Sequence, residues 1–224
     1  MTALLPCVEV EARTPASASV IWMHGLGADG HDFESIVPHL RLPHVRFVFP
    51  NAPAIPVTIN GGYVMPAWYD IRSLELGHGG KDREDPAQIR RSAAAIEALI
   101  AREVARGIPS ERIVIAGFSQ GGAMALYVAQ RHAAPLAGFM VLSAYEVLSA
   151  HRDEHSEANA RTPALFCHGR NDQMVPLFAG QAACESARRD GRDVRWYDFP
   201  IGHEVSMPEI QTIAGWLRER LPPT

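Results

Sequence analysis

Short apolar runs that alternate with helical patterns limit what this chain can fold into more than any other feature. The runs cover residues 19–24, 45–49, 112–116, 138–143, 164–168 and 194–199. Each is short and mostly apolar, as strands buried on both faces are. Helical patterns lie between most of them, over 33–40, 86–106, 121–131, 176–190 and 209–220. The clearest, 86–106, sets Ile89, Ile96, Leu99, Ile100 and Val104 on one face. Asp85 offers an N-cap, Pro86 suits the first helical position, Gln88 fits a capping box and Gly107 is a natural stop. Such alternation implies an α/β fold with a mainly parallel, doubly wound sheet and helices on both faces. Residues 8–12 add an antiparallel edge strand. The 224 residues suit a single domain spanning 1–224.

The exception is the stretch 52–85, rich in Gly and Pro and without periodicity. Long irregular segments inside a domain are usually binding loops or disorder. Tyr63, Val64, Met65, Trp68 and Tyr69 argue against simple disorder, whereas 72–85 is polar and reads as mobile, or as a plain surface excursion. A net charge of −4 without a basic cluster gives no reason to expect nucleic acid. No apolar stretch reaches the length that spans a bilayer, and the first residues lack the features of a secretion signal. Cys7, Cys167 and Cys184 cannot pair completely and show no CxxC spacing. They fit reduced thiols, and with them a cytoplasmic protein.

Chemistry concentrates where strands end. Gly117-Phe118-Ser119-Gln120-Gly121 joins an apolar run to a helical one. A serine at such a junction sits in a tight, strained turn, with glycines where strand and helix backbones approach. The turn lifts its hydroxyl off the sheet and sets the Gln120 amide at a helix N-terminus, which favours developing negative charge. His24-Gly25-Leu26-Gly27-Ala28-Asp29-Gly30 contains a literal G-x-G-x-x-G. A dinucleotide site also needs an acidic residue about twenty positions on. None stands between Glu34 and Asp70, so that reading is rejected. The loop better serves to supply one oxyanion donor, the main-chain N–H of Leu26, the other coming from Gln120 after the serine. His24 orders it.

Serine needs a base, and the base an orienting carboxylate. In doubly wound hydrolases these follow in the order acid, then histidine, each in a loop beyond a strand. Of ten histidines, His203 lies just after 194–199 and before a helical segment, which selects it as the base. Asp172 follows 164–168 and is the acid; a turn-stabilising aspartate is the plainer alternative. Asp153 has no strand before it and Asp198 lies within one. His168 precedes the acid and reads as a structural partner. Neither HExxH nor His-x-His spacing occurs, so no metal is expected.

With these residues in place the chain resembles the phospholipase/carboxylesterase family of α/β-hydrolases, which includes the acyl-protein thioesterases. The matching elements run in order: the His24–Gly30 loop, Pro50-Asn51-Ala52-Pro53, and Met65-Pro66-Ala67-Trp68-Tyr69-Asp70. Then follow Gly117–Gly122, His168-Gly169 with Asp172 and Val175-Pro176, and finally Gly202-His203. Thr58–Tyr63 looks more like the bacterial carboxylesterases. The resemblance implies the α/β-hydrolase fold without a large lid, and ester hydrolysis by Ser119, His203 and Asp172 without cofactor or metal. The substrate would be a small-molecule or lipid-like acyl ester of short-to-medium chain. Acyl-protein thioesterase and lysophospholipase action are alternatives, and a non-catalytic binding module is a reading from another class. The same groups could also cleave amides, though no charged specificity pocket supports a peptidase. A homodimer is plausible by resemblance. The acyl pocket is expected under Met65, Trp68 and Val175, unless Trp68 anchors the loop to the core instead. Ala144-Tyr145-Glu146 departs from the small polar continuation expected after 138–143, and puts an acidic residue near the site.

Overall fold

A computed structural model describes residues 4–73 and 83–224. Its main sheet has seven strands: β1 (Cys7–Val10), β2 (Ala18–Met23), β3 (Val45–Pro50), β6 (Ile113–Phe118), β7 (Gly138–Leu142), β8 (Ala164–Gly169) and β9 (Val194–Phe199). They lie in the order β1-β3-β2-β6-β7-β8-β9, and every neighbouring pair is parallel except β1 with β3. Helices α1 (Val37–Leu40), α2 (Pro86–Ala105), α3 (Gln120–Arg131) and α4 (Leu177–Arg189) lie between strands, and α5 (Met207–Arg220) follows β9.

The sheet divides the core in two. Ile21, Met23, Ile113 and Ile115 turn toward α2, α3 and α4, packing with Ile96, Leu99, Met124 and Ala183. Val20, Trp22, Val114 and Ala116 turn the other way, toward Leu40 of α1 and Ile213, Trp216 and Leu217 of α5. The inner strands β2, β3, β6, β7 and β8 read as apolar runs because both sides of the pleat are buried, whereas the edge strands β1 and β9 are only half-buried. The connection order reverses between β2 and β6, and in open α/β sheets the crevice beyond such a point is where ligands bind.

Three expectations are corrected. Residues 33–40 form a 3-10 turn (Glu34–Ile36) followed by the one-turn α1, not one helix; Pro38 in the first turn of α1 suits a fresh start. Asp85 caps α2 as expected, but Gln88 does not close a capping box, because its Oε1 accepts the Asp70 N–H at 2.6 Å. The stretch 52–85 is not wholly irregular: β4 (Ala54–Val57) and β5 (Tyr63–Pro66) form an antiparallel ribbon pairing Ala54 with Pro66 and Val57 with Tyr63. A two-stranded ribbon has two free edges, which accommodates its prolines. The mobility expected of 72–85 falls largely on 74–82, outside the described residues. The ends of that span meet where the Arg72 N–H donates to the Arg83 carbonyl at 2.8 Å.

Candidate active site

Four loops at the carboxyl ends of β2, β6, β8 and β9 build the site. At the end of β6, Ser119 has φ 54° and ψ −120°, a conformation a side-chain-bearing residue rarely adopts. Surrounding structure holds it there. Its N–H donates to the Leu142 carbonyl at 2.8 Å, while its carbonyl accepts the Ala123 N–H at 3.0 Å. The flanking glycines are obligatory on steric grounds. A Cβ on Gly117 would lie 2.1 Å from the Gly121 carbonyl oxygen, and one on Gly121 would lie 2.4 Å from that of Met23.

The loops after β8 and β9 are laced together. Arg170 donates its N–H to the Phe199 carbonyl at 2.8 Å, and Asn171 donates to Ile201 at 3.0 Å. This brings Asp172 to His203. His203 Nδ1–H donates to Asp172 Oδ2 at 2.7 Å, and the Ser119 hydroxyl donates to His203 Nε2 at 2.9 Å. An ionised carboxylate only accepts, so the ring proton belongs on Nδ1 and the Nε2 lone pair faces the serine. Asp172 is buried, and its Oδ1 accepts the N–H groups of Met174 and Val175 at 2.9 and 2.8 Å. The Phe118 ring lies 4.7 Å from the His203 imidazole and walls one side.

Gln120 opens α3, so its amide N–H precedes the intrahelical ladder. Neither this N–H nor that of Leu26 has a hydrogen-bond partner among the described residues. The Leu26 loop is fixed from several sides. Gly27 donates to the Pro66 carbonyl at 2.8 Å, His24 Nδ1–H donates to the Gly25 carbonyl at 2.7 Å, and His24 Nε2 accepts the Ala52 N–H at 3.0 Å. Burial pushes the His24 pKa below its ordinary value, which keeps the ring neutral for that dual role.

Two side chains act as struts. The Gln120 side chain is buried, accepting the Trp68 N–H and donating to the Tyr69 carbonyl, each at 2.7 Å. Trp68 donates its indole N–H to the His24 carbonyl at 2.9 Å and is 1 % exposed. Only the tight placement of a glutamine between Ser119 and Gly121 signals this. Trp68 thus ties its segment to the loop after β2, in keeping with the second of the two readings open for it. Met65 is half-buried, accepts the Asn60 side-chain N–H at 3.3 Å and sits beside Gly27. Val175 is buried and serves through its backbone, holding Asp172 and accepting the His168 Nε2–H at 2.8 Å. Burial lowers the His168 pKa, so it stays a neutral prop. Tyr145 is buried with its hydroxyl 2.8 Å from that of Tyr69, while Glu146 accepts the Gln130 side-chain N–H at 3.2 Å. Among the described residues, no cluster of three or more His, Cys, Asp or Glu could hold a metal, and no helix is long and apolar enough to cross a membrane.

A mostly parallel sheet with a strained serine turn after a central strand defines an α/β-hydrolase. The phospholipase/carboxylesterase family model matches residues 6–221, and the chain belongs to that family. The chain is 38% identical to acyl-protein thioesterase 1 of Neurospora crassa, an alignment covering 97% of this chain and 92% of the relative. Among solved structures, Arabidopsis thaliana SOBER1 superposes with a TM-score of 0.84 at 31% identity, covering 91% of this chain and 99% of that one. Esterase PE8 superposes with a TM-score of 0.83 at 27% identity, covering 98% and 100%.

Proposed function

We propose that this hydrolase cleaves acyl thioesters and carboxylic esters with Ser119 as nucleophile, His203 as general base and acid, and Asp172 as the orienting carboxylate. The observation that carries this reading is the unbroken hydrogen-bonded line from Asp172 through His203 to Ser119. Ser119 Oγ attacks the acyl carbonyl as its proton passes to His203 Nε2. The carbonyl oxygen becomes an oxyanion that accepts from the free N–H groups of Leu26 and Gln120. The tetrahedral adduct collapses, the bond to sulfur or oxygen breaks, and His203 returns the proton to the leaving thiol or alcohol. Water, deprotonated by His203, attacks the acyl-enzyme and releases the acid with Ser119 restored. Asp172 holds the imidazole tautomer and stabilises its cation.

For the substrate, relatives named acyl-protein thioesterase favour an S-acylated protein cysteine, and exposed Met174 and Phe178 just beyond Asp172 offer an apolar rim for the chain. Likeness to esterase PE8 supports the second reading, short-to-medium oxyesters. Hydrolysis of p-nitrophenyl esters from acetate to palmitate, beside palmitoyl thioesters, tests both with Ser119→Ala as the blank. Thioester turnover exceeding every oxyester supports the first reading, and a maximum at short oxyesters the second. Activity surviving in Ser119→Ala overturns the nucleophile assignment.

A further inference from the structure

A cavity of about 180 Å³ is lined by Trp68 together with Leu5, Pro53, Ile55, Gln88, Arg91, Ser92 and Ala95. Positions 88, 91, 92 and 95 of α2 are spaced i, i+3, i+4 and i+7, one helical face, which here looks onto the β4–β5 ribbon and the N-terminal segment. The walls are apolar, and the free polar groups are donors. Gln88 commits its Oε1 to the Asp70 N–H, leaving its Nε2 hydrogens free. Ser92 donates its hydroxyl to the Trp68 carbonyl. Among the described residues, Arg91 makes no hydrogen bond or ion pair and no carboxylate lines the cavity. An unpaired guanidinium beside a free amide N–H₂, at the edge of an apolar chamber, is complementary to an anion with an aliphatic tail.

We propose that this cavity binds a short aliphatic monocarboxylate, its carboxylate on Arg91 and Gln88 and its chain against Leu5, Ile55, Trp68 and Ala95. Hexanoate, whose carboxylate carries a short aliphatic tail, is the probe matched in kind to a cavity of about 180 Å³. The site is separate from Ser119 but shares Trp68 with it, the residue whose N–H groups brace Gln120 and the His24 carbonyl. The inference does not depend on the role given to Ser119.

Isothermal titration of the full chain with sodium hexanoate, beside hexan-1-ol, tests it. Arg91→Met removes the charge and keeps the aliphatic stem at an exposed position; Ala95→Phe fills the chamber. The expected result is one-to-one hexanoate binding that weakens on the order of tenfold or more in Arg91→Met, is lost in Ala95→Phe, and is far weaker for the alcohol. Ester turnover should persist in both variants, separating this site from the one at Ser119. Equal hexanoate binding by all three proteins, or none by the parent chain, overturns the proposal. Because calorimetry needs no turnover, failure of the Ser119 reading would leave this test intact.

Discussion

At the scale of single residues, the site depends on groups whose own freedom has been removed. Asp172 gives one oxygen to two backbone N–H groups and the other to His203, so the imidazole has one orientation. Asp172→Asn keeps the shape but can place an N–H against Nδ1, which favours the wrong tautomer. On the proposed mechanism, turnover should fall by roughly 10⁴ while the thermal melt stays close to that of the parent; a loss under tenfold would contradict the orienting role. Gln120 supplies a second case. Gln120→Met keeps the backbone amide and most of the side-chain volume but removes both bonds to residues 68 and 69. A lowered kcat with the same fluorophosphonate-reactive serine is expected, and unchanged kinetics would show that the strut has no bearing on the site. The line of Ser119, Asp172 and His203 was legible because each stands after a strand, in a fixed chain order. Trp68 was not. An aromatic in an irregular apolar stretch looks the same from sequence whether it faces a ligand or buttresses a loop.

At the scale of elements, short apolar runs announced the main sheet, while the ribbon at β4–β5 was hidden. Pro53, Pro56 and Pro66 interrupt any alternation, and the Gly27 N–H ties the segment to the site loop through the Pro66 carbonyl. Also invisible was the ionic seam joining β1, β3 and α2. Fully buried Glu103 meets Arg46 at 3.0 Å and Arg102 and Arg106 at 3.1 Å each, and those arginines reach out to Glu9 and Glu11. Removing the central carboxylate leaves clustered cations facing each other with little solvent. Glu103→Ala is therefore expected to destabilise the fold by about 3–5 kcal/mol, read as a lower urea midpoint. Glu11, largely exposed, is the control: Glu11→Ala should cost under about 1 kcal/mol. Equal shifts for the two would mean the seam acts as surface pairs only.

At the scale of the whole molecule, stability should carry the signature of one carboxyl that the net charge of −4 conceals. Glu209, in the first turn of α5, is fully buried with neither carboxyl oxygen hydrogen-bonded among the described residues. Burial pushes its pKa up to about 8 from an ordinary 4.5. The Ser206 N–H pulls more weakly the other way, and the Cys167 thiol of β8 is itself pushed up by burial and by the Glu209 charge. In the folded chain Glu209 keeps its proton through a range where the unfolded chain has lost it. The folded state then binds more protons than the unfolded one, so stability falls as pH rises. This contribution is complete below about pH 4.5 and lost by about pH 8. Its full size is on the order of a few kcal/mol. Glu209→Gln, neutral at every pH, should flatten the Tm profile between pH 5 and 8 and raise Tm most at the alkaline end. α5 begins just beyond the His203 loop, so the parent should also lose serine labelling near pH 8 before the variant does. Parallel Tm profiles for the two proteins would mean that Glu209 is ionised in the folded chain, with a partner supplied by solvent inside the core.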